Sequence, residues 1–104
     1  MSFTEFIGAS GEAYRFVVSD GQVRTPSGGV FAYVRHTANG FELVYVGETE
    51  NLATGAGELW TEAARAHGAT HLLTRLVFAR STRSAEQADL IAAYNPPMNT
   101  QSAA

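Results

Sequence analysis

The chain has no cysteine, no lysine and no long apolar run in its 104 residues. Without cysteine it can form no disulfide, no thiolate metal site and no cysteine nucleophile. No apolar stretch approaches the length of a membrane span, and the opening residues MSFTEFIGASGEAY lack both the basic start and the apolar core of a signal peptide. We therefore expect a soluble, cytoplasmic protein without a membrane partner.

The lack of lysine leaves arginine to carry the positive charge at neutral pH. Seven arginines stand against ten carboxylates, which gives a formal net charge of -3. Free-standing nucleic-acid binders commonly have a basic excess, so this balance argues mildly against DNA. A local patch can override net charge, and Arg75, Arg80 and Arg83 are the candidates for a nucleic-acid-binding edge. The commoner explanation for such residues is a solvated surface.

Length and composition favour one domain over residues 1–104. Apolar residues make up 45% of the chain and charged residues 16%, which is enough to bury one core. Two domains of half this length would each bury too little surface to be stable.

Residue periodicity predicts four strands, at residues 13–19, 30–35, 41–46 and 70–80. Asp20-Gly21 and Asn39-Gly40 are two-residue hairpin signals. A first predicted helix ends at Gly68. Its apolar face is formed by Leu59, Trp60, Ala63, Ala64 and His67. A second predicted helix covers residues 84–94, with Gln87 as the capping partner of Ser84, and the final QSAA is expected to be frayed. The order β, β, β, α, β, α predicts a small α/β (α+β) domain on a mixed or mostly antiparallel sheet.

Three segments carry a resemblance to a known family: GGVFAYV (28–34), YVGETENL (45–52) and EQADLIAAYNPPMN (86–99). Together with GATH (68–71), and in this order, they resemble the GIY-YIG nuclease domain over residues 28–100. Val30 stands for the isoleucine of the first tripeptide. The resemblance implies a central sheet of about three strands flanked by helices, to which the predicted N-terminal strand or hairpin is added.

The resemblance also implies a site that hydrolyses phosphodiesters in DNA. In such a site two tyrosines and a water carry out proton transfer and attack, and an arginine steadies the phosphate. A glutamate holds one divalent cation, Mg²⁺ or Mn²⁺, and an asparagine supports the site. Carried over to this chain, the second tyrosine is Tyr45 and the asparagine is Asn99. The first tyrosine, the arginine and the glutamate fall on Phe31, Gly55 and Gln87, so three chemical groups are missing.

Two neighbouring residues are candidate substitutes for the lost groups. Tyr33 lies two residues beyond Phe31 on the same strand face and offers a hydroxyl, although simple packing also explains it. Glu86 is the candidate metal ligand, but a step of one residue rotates it by about 100° from Gln87 on a helix. Tyr45 is equally explained as a half-buried strand aromatic.

The sequence therefore leads to two functional hypotheses. The first is a GIY-YIG-like domain that has lost hydrolysis and binds nucleic acid or a protein partner. The alternative is an active divalent-metal-dependent endonuclease with a rearranged site, in which Tyr45 and Tyr33 act on water and Glu86 or Glu58 holds the metal. The absence of any lysine, arginine or histidine between Thr49 and Gly57 favours the first.

Overall fold

A computed structural model describes residues 2–20 and 22–101, and all structural statements refer to this part of the chain. Gly21 of the predicted Asp20-Gly21 turn and residues 102–104 of the predicted frayed tail lie outside it. The strands are β1 Phe3–Ile7, β2 Ala13–Ser19, β3 Gly29–Thr37, β4 Gly40–Thr49 and β5 His71–Leu76. The helices are α1 Leu52–Gly55, α2 Trp60–His67, α3 Arg80–Tyr94 and α4 Pro97–Gln101.

The strands form one five-stranded sheet in the order β1-β2-β5-β3-β4, with each neighbouring pair antiparallel. The prediction of a central sheet of about three strands is therefore wrong, while the coarser class, α+β, is right. The N-terminal hairpin is not an appendage, because β2 pairs with β5 through Val17 and Thr74. Periodicity identifies strands but does not show which strands are neighbours. The number of strands in the sheet therefore could not be predicted from the sequence.

The β3–β4 hairpin was predicted and is confirmed, but its turn is formed by Ala38 and Asn39, one residue earlier than the predicted Asn39-Gly40. Thr37 pairs with Gly40 across a two-residue turn, and Gly40 has a φ of 108°, a conformation open to glycine. The register shifts between Tyr33 and Val34, which marks a β-bulge in this hairpin. β5 is the middle strand of the sheet, as its apolar sequence predicted, but it is shorter than residues 70–80.

Each face of the sheet buries its own apolar cluster. Leu90 of α3 joins Phe16, Val30 and Leu73 on one face. On the other face, the helices α1, α2 and α4 contribute Leu52, Ala63 and Met98, respectively. The second cluster also holds the aromatic residues at the family positions, so the candidate site is built on the face covered by three short helices.

Helix α3 contacts both edge strands of the sheet. Near its middle, Gln87 donates a hydrogen bond to the Val46 carbonyl of β4 at 3.1 Å. Near its end, the Tyr94 ring meets Phe6 of β1 edge to face, and its hydroxyl accepts from the Ile7 N–H at 3.0 Å. The sheet therefore wraps around this helix, which fixes the two edges relative to each other.

The helix ends agree only partly with the prediction. Gly68 ends α2 in the left-handed conformation, with a φ of 70°, as expected. Helix α3 begins at Arg80, and its N-cap Ala79 makes no side-chain capping bond. The predicted capping box of Ser84 and Gln87 is therefore wrong, because both residues lie inside the helix.

Candidate functional site

An aromatic row crosses β3 and β4 on the face covered by α1 and α2. The ring centroids of Phe31 and Tyr45 are 6.0 Å apart, and those of Tyr33 and Tyr45 are 5.6 Å apart in a stacked arrangement. Trp60 meets the Tyr33 ring edge to face at 5.5 Å. The hairpin register explains this row, since Tyr33 lies directly opposite Tyr45. The first and second tyrosine positions of the family are thus brought together.

The Tyr33 hydroxyl holds the loop between α1 and α2. It donates to the Ala56 carbonyl at 2.6 Å and accepts from the Leu59 N–H at 3.1 Å. The residue is 0% exposed, and burial raises the pKa of its phenol to about 12. A neutral phenol that already makes two backbone bonds is poorly suited to activate a water, so these contacts support the packing explanation.

Tyr45 differs from Tyr33 because its side chain is partly exposed. Burial raises the pKa of its phenol, and the negative charge of Glu58 raises it further. The same carboxylate also raises the pKa of Tyr33. Glu58 therefore lies close enough to influence both phenols, and both are protonated at neutral pH.

Phe31 and Gly47 fit each other closely. Phe31 is 5% exposed, and a Cβ placed on Gly47 would lie only 2.3 Å from the tip of its ring. The glycine of the Tyr45-Val46-Gly47 tripeptide is therefore required by close packing against the ring. Phenylalanine preserves this packing and supplies no hydroxyl for proton transfer.

Gly55, where the resemblance predicts an arginine, has no room for a side chain. A Cβ on Gly55 would lie 2.2 Å from the Thr49 Oγ1 and 2.8 Å from the Thr49 Cβ. Thr49 is held by Asn51, whose N–H donates to Oγ1 at 3.2 Å. Asn51 in turn caps α1 by accepting from the Ala53 N–H at 3.0 Å. The turn is closed by neutral groups, with no side-chain cation at residue 55.

Gln87 and Asn99 both meet the main chain of Val46. Asn99 accepts from the Val46 N–H through Oδ1 at 2.8 Å and donates to the Val46 carbonyl through Nδ2 at 2.9 Å. The Gln87 Nε2 donates to the same carbonyl at 3.1 Å. A glutamate at position 87 would turn an oxygen of its ionised carboxylate towards this carbonyl, and an ionised carboxylate can only accept hydrogen bonds.

Glu86, the candidate metal ligand, faces away from this carbonyl and is paired with Arg75. Its two carboxylate oxygens accept from the guanidinium at 2.8 and 3.2 Å, and the residue is buried. This fork-to-fork pair joins α3 to β5. Among residues 2–20 and 22–101 no group of three or more histidine or acidic side chains is placed to hold a metal ion.

The three arginines proposed as a basic edge have different environments. Arg83 is only 3% exposed. Its guanidinium binds Glu48 at 2.8 Å and the Phe78 carbonyl at 2.7 Å. Arg75 is neutralised by Glu86, and Arg80 is exposed at the start of α3. The structure therefore does not assemble these residues into one open basic surface.

Comparison of the chain with models of protein families, with curated proteins and with solved structures finds no match. The likeness to the GIY-YIG domain therefore stays a prediction that depends on the motif residues of 28–34, 45–52 and 86–99. Within the described part of the chain, none of the helices has the length and apolar character needed to cross a membrane.

The roles of Glu48 and Gln87 in the candidate site could not be recognised in the sequence. Glu48 reads as an ordinary charged residue after the glycine, yet it is the partner of the buried Arg83, 35 residues away. Gln87 reads as a helix cap, yet it reaches across to β4. Asn99 and Val46 are 53 residues apart in the sequence, and the only available signal for their pairing was the family resemblance at residues 86–99.

Proposed function

We propose that this chain is a GIY-YIG-like domain that no longer hydrolyses phosphodiesters and that acts as a binding module, with a protein as its partner. The observation that carries the proposal is the use of Gln87. At the position where the family places its metal-binding glutamate, the amide serves as a hydrogen-bond donor to the Val46 carbonyl. A neutral amide in this orientation has no charge with which to hold Mg²⁺.

The other two missing groups support the same conclusion. Phe31 supplies no proton carrier, and Gly55 supplies no guanidinium and no space for one. Losing one preorganised donor to a transition state costs about 3 to 4 kcal/mol, and losing general-base catalysis removes about 10²-fold or more in rate. These effects do not add simply within one site, but three losses together leave little ordinary nuclease activity to expect.

The charge distribution favours a protein over nucleic acid as the partner. Four of the seven arginines are already paired with carboxylates: Arg15 with Glu5, Arg35 with Glu42, Arg75 with Glu86 and Arg83 with Glu48. Each pair reduces the positive charge available to phosphates. With a net charge of -3, the domain offers DNA little electrostatic attraction.

The test is a nicking assay on supercoiled plasmid with Mg²⁺ or Mn²⁺, using protein freed of host nuclease. We expect no metal-dependent cleavage above that of a Tyr45→Phe preparation purified in parallel. Cleavage that needs the metal and disappears in the variant would instead support the rearranged endonuclease. The partly exposed Tyr45 beside Glu58 is the feature that keeps this alternative open.

A binding measurement separates the two kinds of partner. We expect no retention of single- or double-stranded DNA at low salt, where electrostatic affinity is greatest. Binding at low salt that weakens linearly with the logarithm of salt concentration would favour a nucleic-acid partner over a protein.

A further inference from the structure

Strand β4 lies at the edge of the sheet, and side chains close its free side at one position. At Val46, the Asn99 side chain accepts from the N–H at 2.8 Å and donates to the carbonyl at 2.9 Å, and Gln87 adds a second donor. The asparagine amide thus replaces the main chain of a neighbouring strand. An unpaired edge would otherwise be a template for pairing with another chain.

The register shows which other β4 residues direct their main chain outwards. The Thr70 N–H donates to the Val34 carbonyl at 2.8 Å, and the His36 N–H donates to the Thr70 Oγ1 at 2.9 Å. Val34 and His36 therefore turn these groups away from β4. In such non-hydrogen-bonded pairs, the main-chain N–H and C=O groups of the two opposite residues point away from each other. Leu43 and Phe41, which lie opposite Val34 and His36, therefore direct their main-chain groups to the free side of β4.

The bulge explains the change of spacing along this edge. Val46 and Leu43 are three residues apart, whereas outward groups in a regular strand recur every second residue. The register shift between Tyr33 and Val34 inserts the extra residue in β4. Among residues 2–20 and 22–101, the edge therefore has a closed portion at Val46 and an open portion at Leu43 and Phe41.

The open portion faces a groove of about 600 Å³. Ala66, His67 and Gly68 at the end of α2 line it together with Tyr94 and Pro97. Of the β4 residues that line it, Leu43 and Val44 are buried, whereas Phe41 is partly exposed and Glu42 is exposed. The Arg35 guanidinium at the rim is already paired with Glu42, which gives a polyanion little to bind.

We propose that the open edge of β4, at Phe41 and Leu43, binds an extended peptide segment of a partner protein as an added strand of the sheet. Donors and acceptors that recur at about 6.6 to 6.8 Å along an edge match the main chain of an extended polypeptide. No regular alternation of this kind exists in nucleic acid or lipid. This inference rests on the proposed binding function and names the chemistry of the partner.

The test begins with selection of linear peptides from a random phage-displayed library on the full chain. A selected peptide is labelled, and its affinity is measured for Phe41→Pro and Phe41→Ala. Both variants lose the same ring, but only proline lacks the N–H, and proline is tolerated on edge strands. We expect binding to Phe41→Pro to be about tenfold weaker than to Phe41→Ala. Amide chemical shifts of residues 41–44 should change when the peptide binds to the unmodified chain.

A second pair of variants keeps the test valid if the proline variant does not fold. Ala66 and Ala85 are both exposed helical alanines, but only Ala66 lines the groove. Ala66→Trp should block peptide binding, and Ala85→Trp should leave it unchanged. Equal affinities across both pairs would overturn the proposal.

The remaining outcomes are also decisive. Selected peptides that map to Tyr45 or Trp60 would overturn the β4 assignment and leave the binding function intact. Failure to enrich any peptide would overturn the assignment, as would a dimer of this chain that Phe41→Pro separates. Metal-dependent plasmid cleavage lost in Tyr45→Phe would instead contradict the proposed function, so the two failures are distinguishable.

Discussion

At the scale of single residues, the candidate site has neutral groups at Gly55 and Gln87, the positions where the resemblance to the GIY-YIG domain predicts charged side chains. Gln87 and Asn99 share one carbonyl oxygen of Val46. Tyr33 gives its hydroxyl to the loop before α2. These contacts stabilise the fold, and a glutamate at position 87 would disturb the bond to Val46.

Replacing Gln87 by glutamate should destabilise the domain and should not create a nuclease. The carboxylate would face the Val46 carbonyl, so we expect a loss of about 1 to 3 kcal/mol in the free energy of unfolding at pH 7. The deficit should shrink near pH 4, because a protonated carboxyl can donate to the carbonyl. Urea denaturation at both pH values measures it, with the exposed Gln22→Glu as the matched control. A stable Gln87→Glu variant that cleaves plasmid would refute this account of position 87.

Replacing Gly55 by alanine tests whether the arginine position is sterically closed. The new methyl group would clash with Thr49, and we expect a loss of about 1 to 3 kcal/mol in the free energy of unfolding. Gly57→Ala is the control, since no atom lies within 4 Å of its added Cβ. Equal stability of the two variants would show that residue 55 has room for a side chain.

At the scale of secondary-structure elements, the carboxylate of Asp89 binds the turn of the N-terminal hairpin to α3, in addition to the contacts of Tyr94 with β1. Asp89 accepts from the N–H and Oγ of Ser10 at 2.8 and 2.7 Å, and from the Tyr14 hydroxyl at 2.7 Å. A Cβ on Gly8 would collide with this carboxylate. The turn between β1 and β2 thus fits around Asp89, which explains how the hairpin becomes part of the sheet.

This carboxylate should make stability depend on pH. The hydrogen bonds from Ser10 and then Tyr14 lower the pKa of Asp89. A lowered pKa stabilises the folded state above the unfolded value of about 3.9, and this stabilisation disappears as the pH falls through the folded value. We expect Asp89→Asn to be less stable than the unmodified chain at pH 7, with the difference closing in acid. Thermal unfolding between pH 2 and pH 7 measures the difference, with the exposed Asp20→Asn as control, and a constant difference across the range would contradict the assignment.

The hydrogen bond between Tyr14 and Asp89 should also affect stability at alkaline pH. The hydrogen bond to Asp89 is the main cause that raises the pKa of Tyr14 to about 12, and burial raises the pKa of Tyr33 to about 12. Both groups stabilise the fold fully below pH 10, and this contribution is lost as the pH rises towards 12. Absorbance titration at the phenolate band should therefore show Tyr14 and Tyr33 ionising near pH 12 in the folded protein, above the value of about 10 for tyrosine in an unfolded chain. Ionisation of all the tyrosines near pH 10 in the folded protein would be inconsistent with this burial.

At the scale of the whole molecule, the sequence predicted local structure better than it predicted pairing. Asn39-Gly40 identified the β3–β4 hairpin, Gly68 identified the end of α2, and the apolar run after residue 70 identified the central strand. The five-stranded sheet was not predicted, because β2 joins it by pairing with β5, more than 50 residues away, and β1 is added through β2. Sequence spacing carries no information about such a neighbour.

In the candidate site, too, the sequence identified individual residues but not their distant partners. The motif order brought Tyr45, Phe31 and Asn99 to attention, and the fold places them around the segment 45–47. The partners that neutralise Arg75 and Arg83 were not visible in the sequence, because each pair joins two different elements: β5 with α3 through Glu86, and α3 with β4 through Glu48. From the sequence alone, a charged residue is interpreted as a surface group, and only the structure shows that it is paired with an opposite charge.

The most direct test of the central claim is a crystal structure of the chain soaked with Mn²⁺ and phosphate, with the metal located by its anomalous scattering. The account predicts no Mn²⁺ and no phosphate beside Tyr45, with the Gln87 and Asn99 amides still bonded to the Val46 carbonyl. A Mn²⁺ ion held by a carboxylate opposite the Tyr45 hydroxyl, with an arginine on the phosphate, would contradict it.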